Sequence, residues 1–192
     1  MLNSKATSTD NVSAGLIAKT GFSENTKAGG VFHVECFDKD GNLKWQEQMH
    51  NLVVSEGLQD MNTNYFKGSS YTAAFYIGLV TGPSSASTYA ASDTLASHAG
   101  WTEFTNYSGS RKAMTYGSAT NATPSVITTT ASPSQFSITG AGGTVAGAFV
   151  CTVDSGTSGV LFSEADFQSP GDRVVVSGDT LNVTYSFSLD AA

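Results

Sequence analysis

The sequence predicts an all-β protein: a β-sandwich or jelly-roll-like domain with one short helix and an extended N-terminal arm. Three observations predict it. From Leu181 to Leu189, five bulky apolar residues alternate with Asn182, Thr184, Ser186 and Ser188. That is a period of two, which gives a strand one buried and one wet face. Before it, runs rich in Val, Ile, Thr, Phe and Tyr are separated by Gly, Pro, Asn, Asp and Ser clusters, about eight to ten strands in all. A helical period occurs in one stretch only.

Taken in order, residues 1–29 form the arm and residues 30–192 the domain. Within the arm Leu16, Ile17 and Phe22 are the only bulky apolar residues after Leu2. Such a segment cannot fold by itself, so it is a disordered tail or an arm ordered against a partner. Lys5, Lys19 and Lys27 outnumber Asp10 and Glu24, which suits docking on an acidic neighbour.

Residues 31–37 read as a strand, and the Asp38, Lys39, Asp40, Gly41, Asn42 cluster as a turn. Residues 43–54 return as a second strand, with Leu43, Trp45, Met49 and Val53 on one face. The period then changes. Ser55 can cap a helix, Glu56 suits its positive end, and Leu58, Met61 and Tyr65 form a stripe, which predicts a helix over 55–66 ending near Gly68.

Residues 71–80 read as a buried strand, and 84–98 as a polar loop in which a helical turn can follow Ser92. Strands are expected over 101–107 and 111–116, joined by Ser108, Gly109 and Ser110. Two more, 125–130 and 135–139, flank Pro133. A glycine turn at 140–143 leads into an alternating strand, 144–153, centred on Phe149. A short apolar run follows at 159–162. Val174 to Val176 and the turn at Ser177, Gly178 and Asp179 pair with the C-terminal strand as a second hairpin.

Charge narrows the partners. Nine Lys and Arg stand against sixteen Asp and Glu, a net charge of −7. A protein of that sign repels phosphate backbones and anionic lipid, so neither nucleic acid nor membrane is an expected partner. No run approaches the roughly 20 apolar residues of a membrane span. The first eleven residues lack the apolar core of a secretory signal. Cys36 and Cys151 read as buried, reduced thiols, which fits synthesis in a reducing cytoplasm.

Chemistry is sparse. His33, His50 and His98 have no metal-ligand spacing, and no C-x-x-C occurs, so no metal or other cofactor is expected. Asp38-x-Asp40-Gly41-Asn42 is one acid short of a calcium loop and precedes a strand, so it is a hairpin turn. The glycines at 140–143 fit no phosphate-binding pattern. Glu164 and Asp166 read as members of a solvated loop before Pro170 and Gly171. The protein is therefore expected to be no enzyme. Tyr89, Trp101, Phe104 and Tyr107 cluster around the polar loop. Trp101 either caps the core or belongs to a rim that contacts a neighbouring subunit or a sugar. His98 beside it is a further contact candidate.

Four segments carry a family resemblance: GVFHVECFDKDGNLKW with HNLVVSEGL; FYIGLVTG; ASDTLASHAGWTE; and VVVSGDTLNVTYSFSL. Together they cover most of the chain from Gly30 onward. The chain resembles virion structural proteins of tailed bacteriophages, of the capsid decoration (cement) type. That resemblance implies a non-enzymatic protein on the capsid exterior, made in the bacterial host cytoplasm. It would bind the major capsid protein, as a symmetric homo-oligomer that multiplies weak contacts. No catalytic motif comes with it. From the residues themselves, Lys5, Lys19, Phe22, Lys27, His98 and Trp101 are the candidate capsid or subunit contacts. The alternatives are a tail, collar or fibre component, and a carbohydrate-binding adhesin module with Trp101 as its sugar platform.

Overall fold

A β-branched or aromatic run becomes a strand where a neighbour takes up its backbone hydrogen bonds, and the pairings sort these runs into two antiparallel sheets. A computed structural model of the protein describes residues 26–67, 74–82, 88–167 and 171–191. In chain order the elements are β1 (Thr26–Phe37), β2 (Leu43–His50), β3 (Leu52–Val53), α1 (Ser55–Phe66), β4 (Tyr76–Thr81), β5 (Glu103–Phe104), β6 (Lys112–Ala113), β7 (Ser125–Thr128), β8 (Ser134–Ser137), β9 (Gly143–Cys151), β10 (Leu161–Asp166), β11 (Arg173–Val175) and β12 (Thr180–Ala191).

The first sheet runs β2-β1-β12, with β7 and β8 following one another along the far edge of β12. The second runs β3-β10-β9-β4-β5, with β11 also on β9 and β6 also on β4. The protein is an all-β sandwich. Its main core lies between the sheets. Phe32, Val34 and Cys36 of β1 and Leu181, Val183 and Tyr185 of β12 meet Ile77 and Leu79 of β4 and Val145, Ala148 and Val150 of β9. Each bulky side chain buried there contributes roughly 1.5–3 kcal/mol. The alternation expected over 181–189 holds for its first half, with Leu181, Val183 and Tyr185 fully buried, and fades beyond it, where Phe187 is half-buried and Leu189 exposed.

The run over 43–54 is two strands and not one, because the chain changes sheets at Asn51. β2 pairs with β1, whereas β3 pairs with β10. Asn51 holds the corner: its backbone N–H donates to Gly30 O (3.0 Å), its Oδ1 accepts from Gly30 N (2.5 Å), and its Nδ2 donates to the buried Tyr185 hydroxyl (2.7 Å). Asn51→Ala removes two of these bonds and leaves groups of Gly30 and Tyr185 without that partner. It is expected to cost about 1–3 kcal/mol, read as a lower urea midpoint at unchanged slope.

Other boundaries differ from the sequence reading for similar reasons of long-range pairing. β11 pairs with β9 in the second sheet, so the turn at Gly178 is a corner between sheets and β11–β12 is no hairpin. Asp179 braces that corner, accepting from Val176 N (2.9 Å) and Lys44 Nζ (2.5 Å). Over 101–116 only β5 and β6 form, and both pair with β4 instead of each other. The segment after Ser92 forms turns and a Thr94–Ser97 bridge in place of a helical turn. The buried strand read over 71–80 begins at Tyr76, and its residues 71–73 lie outside the described residues. β10 runs on to Asp166, beyond the expected end at Phe162.

α1 has the expected bounds but a different cap and a different face. Val54 occupies the N-cap and no side chain caps it, so Ser55 does not serve. The Ser55 amide is taken up by Ala91 O at 2.8 Å. The buried residue of α1 is Gly57, where a methyl group would run into the Phe162 backbone. The close approach at Gly57 turns Met61 toward the core and leaves Leu58 and Tyr65 outside.

Candidate functional site

β9 is buried on both faces. A register shift between its pairings at Val80 and Thr81 separates Val145 from Ala148, after which inward and outward residues alternate again. Ala146, Phe149 and Cys151 point away from the main core. With Val80, Val54 and Leu161 they form a second apolar cluster, covered by Leu95 and Trp101 from residues 88–102. This covering segment is tied down on three sides. Thr81 N donates to Thr102 O (2.9 Å), Ser55 N to Ala91 O, and Leu95 N to Glu56 Oε2 (3.2 Å), which also accepts from Leu161 N (2.7 Å).

Inside this cluster sits Glu164, fully buried on β10 opposite Phe149. Its Oε2 accepts from Trp101 Nε1 at 2.8 Å, and its Oε1 takes no hydrogen bond among the described residues. Burial, and then the carboxylate of Asp93, push its pKa up to about 8. The solvated loop expected around Glu164 and Asp166 is thus a strand. Asp166, raised to about 6 by burial and then by Asp172, lies two residues further along it. The signal missed was the run from Val160 to Phe167, in which Leu161, Phe162, Ala165 and Phe167 need burial on both faces of the strand. A polar residue inside such a run is carried into the interior with it.

Trp101 is 5% exposed. His98 stacks on it at 3.8 Å and 17°, with Nδ1 3.1 Å from Trp101 O, and Phe149 packs on it at 4.9 Å. Of its two readings, the core cap is the one that describes it. It has no open ring face for a subunit or a sugar. Its neighbour His98 is half-buried. Lys27 is exposed and lies opposite Asp190 in the β1–β12 pair, in the other sheet. So the structure brings His98 and Trp101 together and leaves Lys27 apart. Lys5, Lys19 and Phe22 lie outside the described residues.

Among the described residues, the most exposed large apolar side chains are elsewhere, on α1. Tyr65 is 83% and Phe66 77% exposed, their rings edge to face at 4.9 Å, and Leu58 is 43% exposed on the same helix. Leu58 and Phe66 share a shallow groove with Gln59, Asn62, Thr63 and Lys67. An aromatic, amide-rich surface with Lys67 as the one charge lining its groove suits contact with protein. Tyr65 was expected to face inward, and Phe66 was not singled out. Only the contact at Gly57 decides which way they turn.

Glu164 is sealed from solvent, and the α1 groove holds no His, Cys, Asp or Glu. Among the described residues, no group of three or more His, Cys, Asp and Glu is placed to hold a metal ion. No protein-family model matches the chain, and neither a curated protein nor a solved structure matches it.

Proposed function

We propose that this protein is a non-enzymatic structural component of a tailed-phage virion. It lies on the capsid exterior, binds the major capsid protein and stabilises the shell, as a symmetric homo-oligomer. The observation that carries a contact role is the outer face of α1, where Tyr65 and Phe66 stand in water. Two neighbouring aromatics at that exposure gain most of their burial energy only when another protein covers them. The four segments that resemble decoration proteins supply the partner. The low charged fraction, 13%, supports the same reading, because broad contact then desolvates few charges. A rigid sandwich that fixes one helix on its surface lets many copies repeat a weak contact by symmetry.

The test adds purified protein to expanded phage heads that lack it, followed by imaging and a thermal-rupture assay. Regular, saturating occupancy and a higher rupture temperature are expected. The double variant Tyr65→Ser, Phe66→Ser is expected to lose about a hundredfold in affinity for heads, as two anchors of over 1 kcal/mol each would give. Its own stability should change by under about 1 kcal/mol, since both rings are exposed. Heads that stay bare and equally fragile with the unmodified protein would sink the decoration role. Tail, collar or fibre assembly would then be tested next. Full binding by the double variant would remove α1 from the contact.

A further inference from the structure

We infer that residues 88–102 form a proton-operated strap, closed over the outer face of the second sheet while Glu164 carries a proton facing Asp93, and loosened when that proton leaves. The inference goes beyond the assembly role and does not depend on it.

The geometry sets the two carboxyl groups on opposite sides of one contact. Glu164 belongs to β10, in the body of the sandwich, and Asp93 belongs to the strap. The strap's other polar link to Glu164 is the Trp101 indole, with the Ala90 amide close by. Among the described residues, no cation acts on Glu164. The ionisable groups around them are, from the strap, Asp93 and His98, with His98 on the far face of Trp101, and Tyr89, whose ring is 6.4 Å from Trp101. From α1 comes Glu56, whose carboxylate accepts two backbone N–H groups. From β10 itself comes Asp166, beside Asp172. From β9 comes the Cys151 thiol. Arg111 lies over the Phe149 ring at 5.2 Å, but it is engaged by Glu103. An ionised Glu164 would therefore meet Asp93 as a like charge, in a largely apolar pocket where only the Trp101 indole and the Ala90 amide answer it among the described residues.

Three ties of the strap do not involve Glu164, namely Leu95 N to Glu56, Ser55 N to Ala91 O and Thr81 N to Thr102 O. The first two hold residues 91–95 to α1 while the Trp101 end opens and parts Thr102 from Thr81 on β4. Opening lifts Trp101 from Phe149, and so uncovers part of an apolar face.

The sign follows from linkage. In the closed form the Glu164 pKa is raised to about 8, and in an open, solvated strap it returns toward its ordinary value of 4.5. The closed strap holds one more proton than the open one between those limits. Closure is therefore firmest in acid and weakens about tenfold per pH unit on the way to about pH 8, where it levels off.

Native-state hydrogen exchange of the full chain tests this, with rates corrected for the intrinsic pH dependence of exchange. Protection of the Thr88 and Thr81 amides, which donate to Gly100 O and Thr102 O, should fall about tenfold per pH unit between pH 5 and 8. In Glu164→Gln, which keeps an acceptor for Trp101 Nε1 and cannot ionise, the corrected protection should be flat. Asp93→Asn removes the like charge, and the levelling-off should move to lower pH. The strap idea fails if Glu164→Gln keeps the wild-type slope. It also fails if the β12 amides of residues 181–185 lose protection in step with the strap, since that is global unfolding. Should Glu164→Gln not fold, an unmoved levelling-off in Asp93→Asn overturns the inference and a moved one supports it.

Discussion

Gly78→Ala is expected to destabilise the protein by about 3 kcal/mol, at the upper end of overpacking costs. Gly78 is on β4, directly opposite Phe149 of β9. The two residues lie on the outer face of their sheet, and the tip of the Phe149 ring reaches over the glycine. A methyl group there would overlap the ring's Cζ and Cε1 atoms. The ring cannot step aside, because Trp101 packs on it at 4.9 Å and Arg111 lies over it at 5.2 Å. Relief has to come from Phe149 itself. Phe149→Leu alone should cost about 1–2 kcal/mol as a core substitution. In the double variant the smaller side chain makes room, so the combined loss should fall short of the sum by 1 kcal/mol or more, roughly the coupling of residues in contact. Urea unfolding of the four proteins measures it. Strict additivity would mean that the ring already moves freely, and would contradict the packing described.

The pair also shows what the sequence made legible. Residues 144–153 read as a strand centred on Phe149, and residues 71–80 read as buried, both from hydrophobic content alone. That β9 is buried on both faces, with a second cluster behind it, depends on where residues 88–102 fold back. A polar loop rich in Ser, Thr and Ala gives no local sign of doing so. The C-terminal strand was legible because one face is apolar and one is not, and nine residues in sequence suffice to show it. The corner at Asn51 was not, since its partners lie 21 residues back and 134 residues ahead. The bounds of α1 came from its period. Its orientation did not, because the deciding residue is Gly57, which has no side chain to weigh. Hence Tyr65 was assigned inward, and the contact surface escaped notice. Glu164 was misplaced because a carboxyl group argues for solvent unless a partner across the fold argues otherwise.

Arg111→Met is expected to cost about 3 kcal/mol, and Arg111→Met with Glu103→Leu is expected to regain most of it. Arg111 and Glu103 form a bidentate pair, Nε to Oε1 at 2.9 Å and Nη2 to Oε2 at 2.8 Å. The arginine side chain is 5% exposed and that of Glu103 24%. The remaining guanidinium donor reaches Val153 O at 3.2 Å, and the Arg111 amide donates to Asp154 O at 3.1 Å. The guanidinium thus joins β5 to the end of β9 at the margin of the second sheet. Removing one partner leaves the other's charge desolvated and unmatched, the expensive half of any buried pair, about 3–5 kcal/mol when burial is complete. Partial exposure of Glu103 puts the cost at the lower end. Replacing both charges removes the desolvation penalty along with the attraction, and two apolar side chains of similar size restore packing on Phe149 and Tyr107. The pair would then contribute little net stability while fixing β5 relative to the end of β9 across β4. A double variant as unstable as the sum of the two single ones would refute this, and would make the ion pair a net stabiliser of the sheet edge. The Glu103→Leu single variant separates the cases further. It strands the more deeply buried of the two charges, so it should be at least as damaging as Arg111→Met.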